Sequence, residues 1–204
     1  VELPNGENGS LTIGGTVSPA GGNFEEPVTQ STLKVVGAFL GLSNDRANAR
    51  RYPAIHPLES WSKYPSAIPQ QLIEETRDIL LRSNEVQQMM MVVGEEGTSL
   101  NDFEIYLKGE FLDSVYLQQN AFDEVDAATS PKRQKYIFHK VHEILKSDFV
   151  FEDKAKSRDF FYRLRQLFID WNYTPMDGEG FKQQEEKIDK LIEEFKKNDD
   201  LAIG

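Results

Sequence analysis

The sequence predicts a mainly α-helical protein, a helical bundle preceded by a shorter segment with β/α character. Three observations carry that reading. From Gln70 onward apolar residues recur at helical spacing in one stretch after another. Before Pro69 the chain instead shows short β-branched runs broken by Asn-Gly, Gly-Gly and proline. The two patterns meet in Trp61-Ser62-Lys63-Tyr64-Pro65 and Pro69, which places one domain at residues 1–66 and a second at residues 67–204.

Taken in order, Asn5-Gly6 and Asn8-Gly9 are turn dipeptides, and Ser10 to Val17 alternates as a strand does, with Gly14-Gly15 suggesting a bulge or a close backbone approach. Ser18 to Pro27 is a loop whose glycines lack the spacing of a dinucleotide or phosphate loop. Leu33 to Leu40 reads as a buried strand, and Asn44 to Arg51 as a short helix. Tyr52-Pro53 then forms a stiff strut, because proline restricts both its own φ and the residue before it. Locally, Tyr52 as a plug at a domain junction is favoured over Tyr52 as a stacking surface for a planar ligand.

The second part predicts five helices. Gln70 to Val93 carries Leu72, Ile73, Ile79, Leu80, Val86 and Met90 on one stripe. Gly94 to Thr98 interrupts it, Ser99 with Asp102 resembles a capping box, and Leu100, Phe103, Leu107, Phe111 and Val115 form the stripe of a second helix. These two make an antiparallel hairpin with an acidic tip. Gln118 to Asp126 is a connector, and Ser130-Pro131 opens a third helix through Ile137, Val141, Ile144 and Leu145. Ser157 starts a fourth through Phe160, Leu164, Phe168 and Trp171, and Gln183 to Lys197 is a charged fifth.

Composition narrows the function. With 34 acidic against 23 basic side chains and a formal net charge of −11, the chain lacks the basic stripe of a nucleic-acid groove. The absence of cysteine excludes disulfides and thiolate metal sites. The densest apolar patch, Met89 to Val93, falls far short of the roughly 18–20 residues of a membrane span, so no direct membrane insertion is expected. The chain opens on Val1 with neither an initiator methionine nor a signal peptide, and is expected to be a piece of a longer protein.

Of the chemical signals, His139 and His142 with Glu143 match no zinc-protease spacing and read as ordinary helix-surface residues. Met89-Met90-Met91 reads as core filling. Glu95, Glu96, Asp102 and Glu104 read as a solvated hairpin end or a contact for a basic partner. No nucleophile constellation is present.

Four stretches resemble the catalytic A subunit of V-type and A-type rotary ATPases. Ser10 to Gln30 (SLTIGGTVSPAGGNFEEPVTQ) is similar to its S-V-T-I and S-P-P-G-G-D-F-S-E-P-V-T-Q, and Arg51 to Ser60 (RYPAIHPLES) to its R-[FY]-P-A-I-N-W-L-x-S. Gly94 to Asp102 (GEEGTSLND) takes the place of its hairpin tip, and Gln118 to Asp126 (QQNAFDEVD) resembles its Q-Q-N-A-F-x-x-V-D. His56-Pro57 departs from the usual Asn-Trp, and Asn23 from the usual Asp.

The resemblance implies that the first domain closes a P-loop nucleotide-binding domain and that the second is the helical C-terminal domain. It implies an adenine pocket of Tyr52, Phe122, Ala121, Gln118 and Asn120, which turns the local reading of Tyr52 toward stacking. It implies ATP or ADP with Mg²⁺, whose phosphate and metal ligands lie outside this chain, so the isolated chain is expected to be inactive. The implied partners are a non-catalytic B subunit in an alternating ring and a central stalk met by Glu95, Glu96 and Asp102. The implied location is the peripheral sector on the cytoplasmic side of the membrane, where ATP turnover is coupled to ion transport. An F-type β subunit and a free-standing helical interaction module are the alternatives.

Overall fold

The computed structural model describes residue 4 and residues 6–196. It is mainly helical, in the order α1 (Pro27–Val35), β1 (Ala38–Phe39), α2 (Asn44–Asn48), β2 (Trp61–Ser62), α3 (Gln70–Val93), α4 (Leu100–Leu112), α5 (Glu124–Ala127), α6 (Pro131–Lys146), α7 (Lys154–Asn172) and α8 (Glu179–Phe195). Cα packing divides the chain into two compact units, residues 1–39 and residues 40–204.

The first unit departs from the sequence expectations. Ser10–Val17 forms no strand, and Leu11 and Ile13 are 82% and 83% exposed. A strand needs a partner for its N–H and C=O groups, and no described residue pairs with this one. A Cβ placed on Gly14 or Gly15 would meet no described residue within 4 Å, so nothing described crowds the space a side chain would take there. Leu33–Leu40 is not a buried strand either. Pro27 sits at the first position of α1, pre-shaping the first turn, and the helix propagates through Val35, leaving only Ala38–Phe39 extended as β1. Inside this unit Gln30 Nε2 donates to the Phe24 carbonyl at 2.9 Å, and the Phe24 and Phe39 rings meet edge to face at 5.6 Å.

In the second unit α3 runs over Gln70–Val93 as expected, and Ser99 caps α4 by accepting from the Asp102 N–H at 3.1 Å. Helices α3 and α4 pack so closely that a Cβ on Gly109 would fall 2.0 Å from Ser83 Oγ. Beyond Leu112 the backbone widens into a π-helical turn, Asp113–Leu117, which carries the buried Val115. Helix α7 begins three residues before Ser157, because the Asp153 carboxylate accepts from the Lys156 N–H at 2.8 Å. Ser157 instead faces fully inward. Helix α8 likewise begins at Glu179, upstream of the expected Gln183. The Lys197 end of that expectation and the Asn5 half of the first turn lie outside the described residues.

The core gathers α4, α6, α7 and α8 around Phe111, Val141, Phe160, Leu164, Phe168, Trp171 and Ile188. Trp171 is fully enclosed and donates its indole N–H to the Phe181 carbonyl at 3.0 Å, so its one polar atom is satisfied. The methionine run does not fill this core. Met89 and Met91 are exposed and only Met90 is half-buried, because consecutive helix positions point in different directions.

Candidate nucleotide-base site

The strut is built from the end of α2. Arg50 adopts φ 57°, its N–H donates to the Ala47 carbonyl at 3.0 Å, and the Arg51 N–H donates to the Arg46 carbonyl at 2.8 Å. This is a Schellman ending with arginine where glycine is usual. The Tyr52–Pro53 peptide that follows is cis. The returning chain pairs antiparallel at Leu42 and Ile55, with the Ser43 N–H on the Ala54 carbonyl at 2.8 Å and the His56 N–H on the Gly41 carbonyl at 2.7 Å. Arg77 of α3 holds it from below, donating to the Leu58 carbonyl at 2.6 Å and the Ser60 carbonyl at 3.1 Å. Tyr52 stands on this base 55% exposed.

The Gln118–Asp126 connector closes on itself, which is what Asn and Asp at turn positions do. The Asn120 N–H donates to Asp126 Oδ2 at 2.6 Å, and Gln119 Nε2 donates to the Asp126 carbonyl at 2.6 Å. Asn120 Oδ1 accepts from the Phe122 N–H at 3.0 Å, while Asp123 Oδ1 accepts from Val125 and Asp126 to cap α5. Burial pushes the Asp126 carboxyl above its ordinary value, opposed by the Asn120 N–H and by Arg133. The loop thrusts Phe122 outward, 98% exposed, with Ala121 open beside it. Gln118 is half-buried, and Asn120 also reaches the Tyr173 hydroxyl at 3.3 Å.

One main-chain bond joins the two pieces: the Gln119 N–H donates to the Tyr52 carbonyl at 2.9 Å. Of the expected base-site residues, Tyr52, Gln118, Asn120, Ala121 and Phe122 therefore belong to two segments that touch through their backbones.

Four charged residues beneath the strut had no role in the sequence reading. Asp113 is 3% exposed and accepts from Arg46 through one oxygen and from Arg51 through the other, the latter at 2.7 Å. Glu110 takes the Arg51 fork at 2.8 and 3.2 Å, and this bonding raises the guanidinium's proton affinity further. The carboxylate in the run Phe111-Leu112-Asp113-Ser114-Val115 marks a buried charge in the sequence, but nothing local names its partners.

At the hairpin tip, Glu95 is held by α7, its carboxylate by Arg158 and its carbonyl by Lys154. Asp102 accepts from the Ser99 hydroxyl at 2.7 Å, and Glu96 is exposed. Beside them Met91 and Val92 are 78% and 86% exposed, so the tip is apolar as well as acidic.

His142 sits between α6 and α3, its Nδ1 3.1 Å from Thr76 Oγ1 and its Nε2 3.3 Å from Glu75. Among the described residues no group of three or more His, Cys, Asp or Glu stands where a metal ion could be held. Among the same residues no helix is long and apolar enough to cross a membrane.

Comparison with known proteins accounts for both parts of the chain. The ATP synthase alpha/beta family, nucleotide-binding domain, matches residues 2–62, and the C-terminal domain of V and A type ATP synthase matches residues 70–156. The chain is 59% identical over 194 residues to the V-type ATP synthase alpha chain of Treponema denticola, covering 95% of this chain and 33% of the relative. It is 56% identical over 205 residues to V-type ATP synthase alpha chain 1 of Treponema pallidum, covering 100% of this chain and 35% of the relative. The chain thus spans about a third of the length of the curated relatives it matches. In fold it is similar to a unique ATP synthase subunit NeqB from Nanoarcheaum equitans, with a TM-score of 0.52 at 17% identity over 62% of this chain and 32% of that one.

Proposed function

This chain belongs to the alpha-chain family of V-type ATP synthases, and we propose that within the full-length subunit it forms the adenine side of an ATP site. The observation that carries this reading is the bond between the Gln119 N–H and the Tyr52 carbonyl. It ties the Tyr52 strut to a loop whose Phe122 lies three residues farther on, a distance that chain geometry limits to about 10 Å. Two exposed aromatic rings on hydrogen-bonded supports joined this way suit a planar purine. Stacking on an aromatic face contributes about 1–3 kcal/mol per base.

In this reading Tyr52 and Phe122 bracket the base, and Gln118, Asn120 and Ala121 line its edge. Asn120 spends its side-chain oxygen on the Phe122 N–H, so besides lining the edge it helps hold the Phe122 turn in place. Residues 1–66 complete the nucleotide-binding domain and residues 67–204 form the helical domain, in keeping with matched segments that end at 62 and resume at 70. Mg²⁺ and the phosphate contacts come from elsewhere in the subunit. ATP turnover is coupled to ion transport when base occupancy changes the tilt of the helical domain, a population shift driven by differential binding. The hairpin tip with Glu95, Glu96 and Asp102 meets the central stalk, and non-catalytic B subunits alternate with this one in a ring at the cytoplasmic face of the membrane. Relatives that are V-type alpha chains favour this reading over an F-type β subunit or a free-standing helical module.

The test is Phe122→Ala in the full-length subunit of the assembled ATPase. The KM for ATP should rise by more than kcat falls, whereas a fall in kcat with KM unchanged removes the base clamp.

A further inference from the structure

The two halves of the base site come from distant parts of the sequence, yet one residue is bonded to both. The Asp113 carboxylate accepts from Arg46 and from Arg51, the residue immediately before Tyr52. Its main-chain carbonyl accepts from the Gln118 N–H at 3.0 Å, and the next residue, Gln119, donates to the Tyr52 carbonyl. These links form a closed ring: Asp113 side chain, Arg51, Tyr52, Gln119, Gln118, and back to the Asp113 main chain. Glu110, one helical turn earlier, takes the rest of the Arg51 fork, so the guanidinium is fixed in orientation as well as position.

A closed ring of bonds allows little change in the separation between the strut and the loop. Burying a carboxylate against two guanidiniums is poor evidence of stabilisation, because a hydrophobic residue of similar volume often serves stability as well. What the ion cluster does supply is a defined geometry. Asp113 also begins the π-helical turn, whose last residue, Leu117, leads directly into Gln118. The same residue therefore ends the ordinary helix α4 and sets where the Phe122 loop departs.

We propose that Asp113, acting through Arg51, is a positioning residue that sets the height of Tyr52 against the Phe122 loop and so tunes affinity for the purine ring. The inference rests on the base site proposed above. In this proposal the Asp113 side chain acts through Arg51 and Tyr52 and not by contact with the base, so replacing that side chain is felt at the Tyr52 ring.

The experiment measures ATP and UTP hydrolysis by the assembled ATPase carrying, in its full-length subunit, Asp113→Asn, Arg51→Lys, Tyr52→Ala, or Asp113→Asn combined with Tyr52→Ala. Asp113→Asn should raise the KM for ATP roughly 5–50-fold, the scale of a misplaced contact, with kcat changed by no more than about twofold. The KM for UTP, whose smaller ring stacks less, should move less. The double variant should have the KM of Tyr52→Ala alone, since removing the ring removes what Asp113 positions. Arg51→Lys keeps the charge without the fork, and should raise the ATP KM in the same direction even if Asp113→Asn fails to assemble.

Effects of Asp113→Asn and Tyr52→Ala that multiply in the double variant would overturn the proposal, as would an unchanged KM in Arg51→Lys. If Tyr52→Ala raises KM while neither Asp113→Asn nor Arg51→Lys does, only the positioning role falls. If Tyr52→Ala itself leaves KM unchanged, the base site falls and the positioning role falls with it.

Discussion

Residues 6–39 and residues 40–196 obey the same physics with opposite results. In the first unit Leu11, Ile13, Val28 and Val35 all stand exposed, and Thr29 is buried in their stead. In the second, Phe111, Phe160, Phe168 and Trp171 are almost completely enclosed by one another and by aliphatic neighbours. The difference lies in where the covering surface comes from. A helical stripe finds its partner in the next helix of the same hairpin or bundle, whereas a strand must find an edge that here is not among the described residues.

The largest expected effect tests that contrast directly. Trp171→Ala should cost about 3–5 kcal/mol, as large core truncations do, while Leu11→Ser should cost less than about 0.5 kcal/mol in this chain. Chemical denaturation of both variants measures it. If the first unit is covered by the rest of a full-length subunit, Leu11→Ser becomes costly there, and equal small effects in both settings would break the comparison.

Next is the close approach of α3 and α4 at Gly109 and Ser83. Gly109→Ala drives a Cβ into Ser83 and should destabilise by about 1–3 kcal/mol, with Ser83→Gly in the same chain restoring part of the loss. A silent Gly109→Ala would mean that the hairpin tolerates a wider spacing. Asp123→Ala removes the α5 cap beside Phe122 and should cost about 1 kcal/mol, read as a lower denaturation midpoint. Arg50→Gly should act in the opposite direction, gaining about 0.5–1 kcal/mol because glycine adopts positive φ without a Cβ clash.

The smallest effect is a pH dependence. The Asp126 pKa is raised on folding, so the folded state takes up this proton before the unfolded state, whose value is near 3.8. The cost of burying the charge is present at neutral pH and relieved as pH falls through the folded pKa. Stability relative to Asp126→Asn should therefore improve as pH is lowered toward 4, and a decline would reverse the assignment.

The same contrast explains what could be read in the sequence. Helix α3 and the Ser99 and Ser130 caps were legible because their determinants, apolar spacing and a hydroxyl before it, are local. Leu33–Leu40 has the β-branched density of a strand, yet its first three residues continue the helix that Pro27 opens. The start of α7 was misplaced because Ser157 resembles a cap, while Asp153 reaches the free N–H groups first. At the base site, Tyr52 and the Gln118–Asp126 loop were visible as motifs. Their main-chain bond and the Arg46–Asp113–Arg51–Glu110 cluster were not, since both depend on pairings between distant segments that no local pattern encodes.

The central claim, that Tyr52 and Phe122 lie on either side of one purine, is met most directly by photolabelling the assembled ATPase with 8-azido-ATP and mapping the modified peptides. The account predicts label on the peptides containing Tyr52 and Phe122, and its suppression by excess ATP. Label confined to peptides that contain neither residue would contradict it.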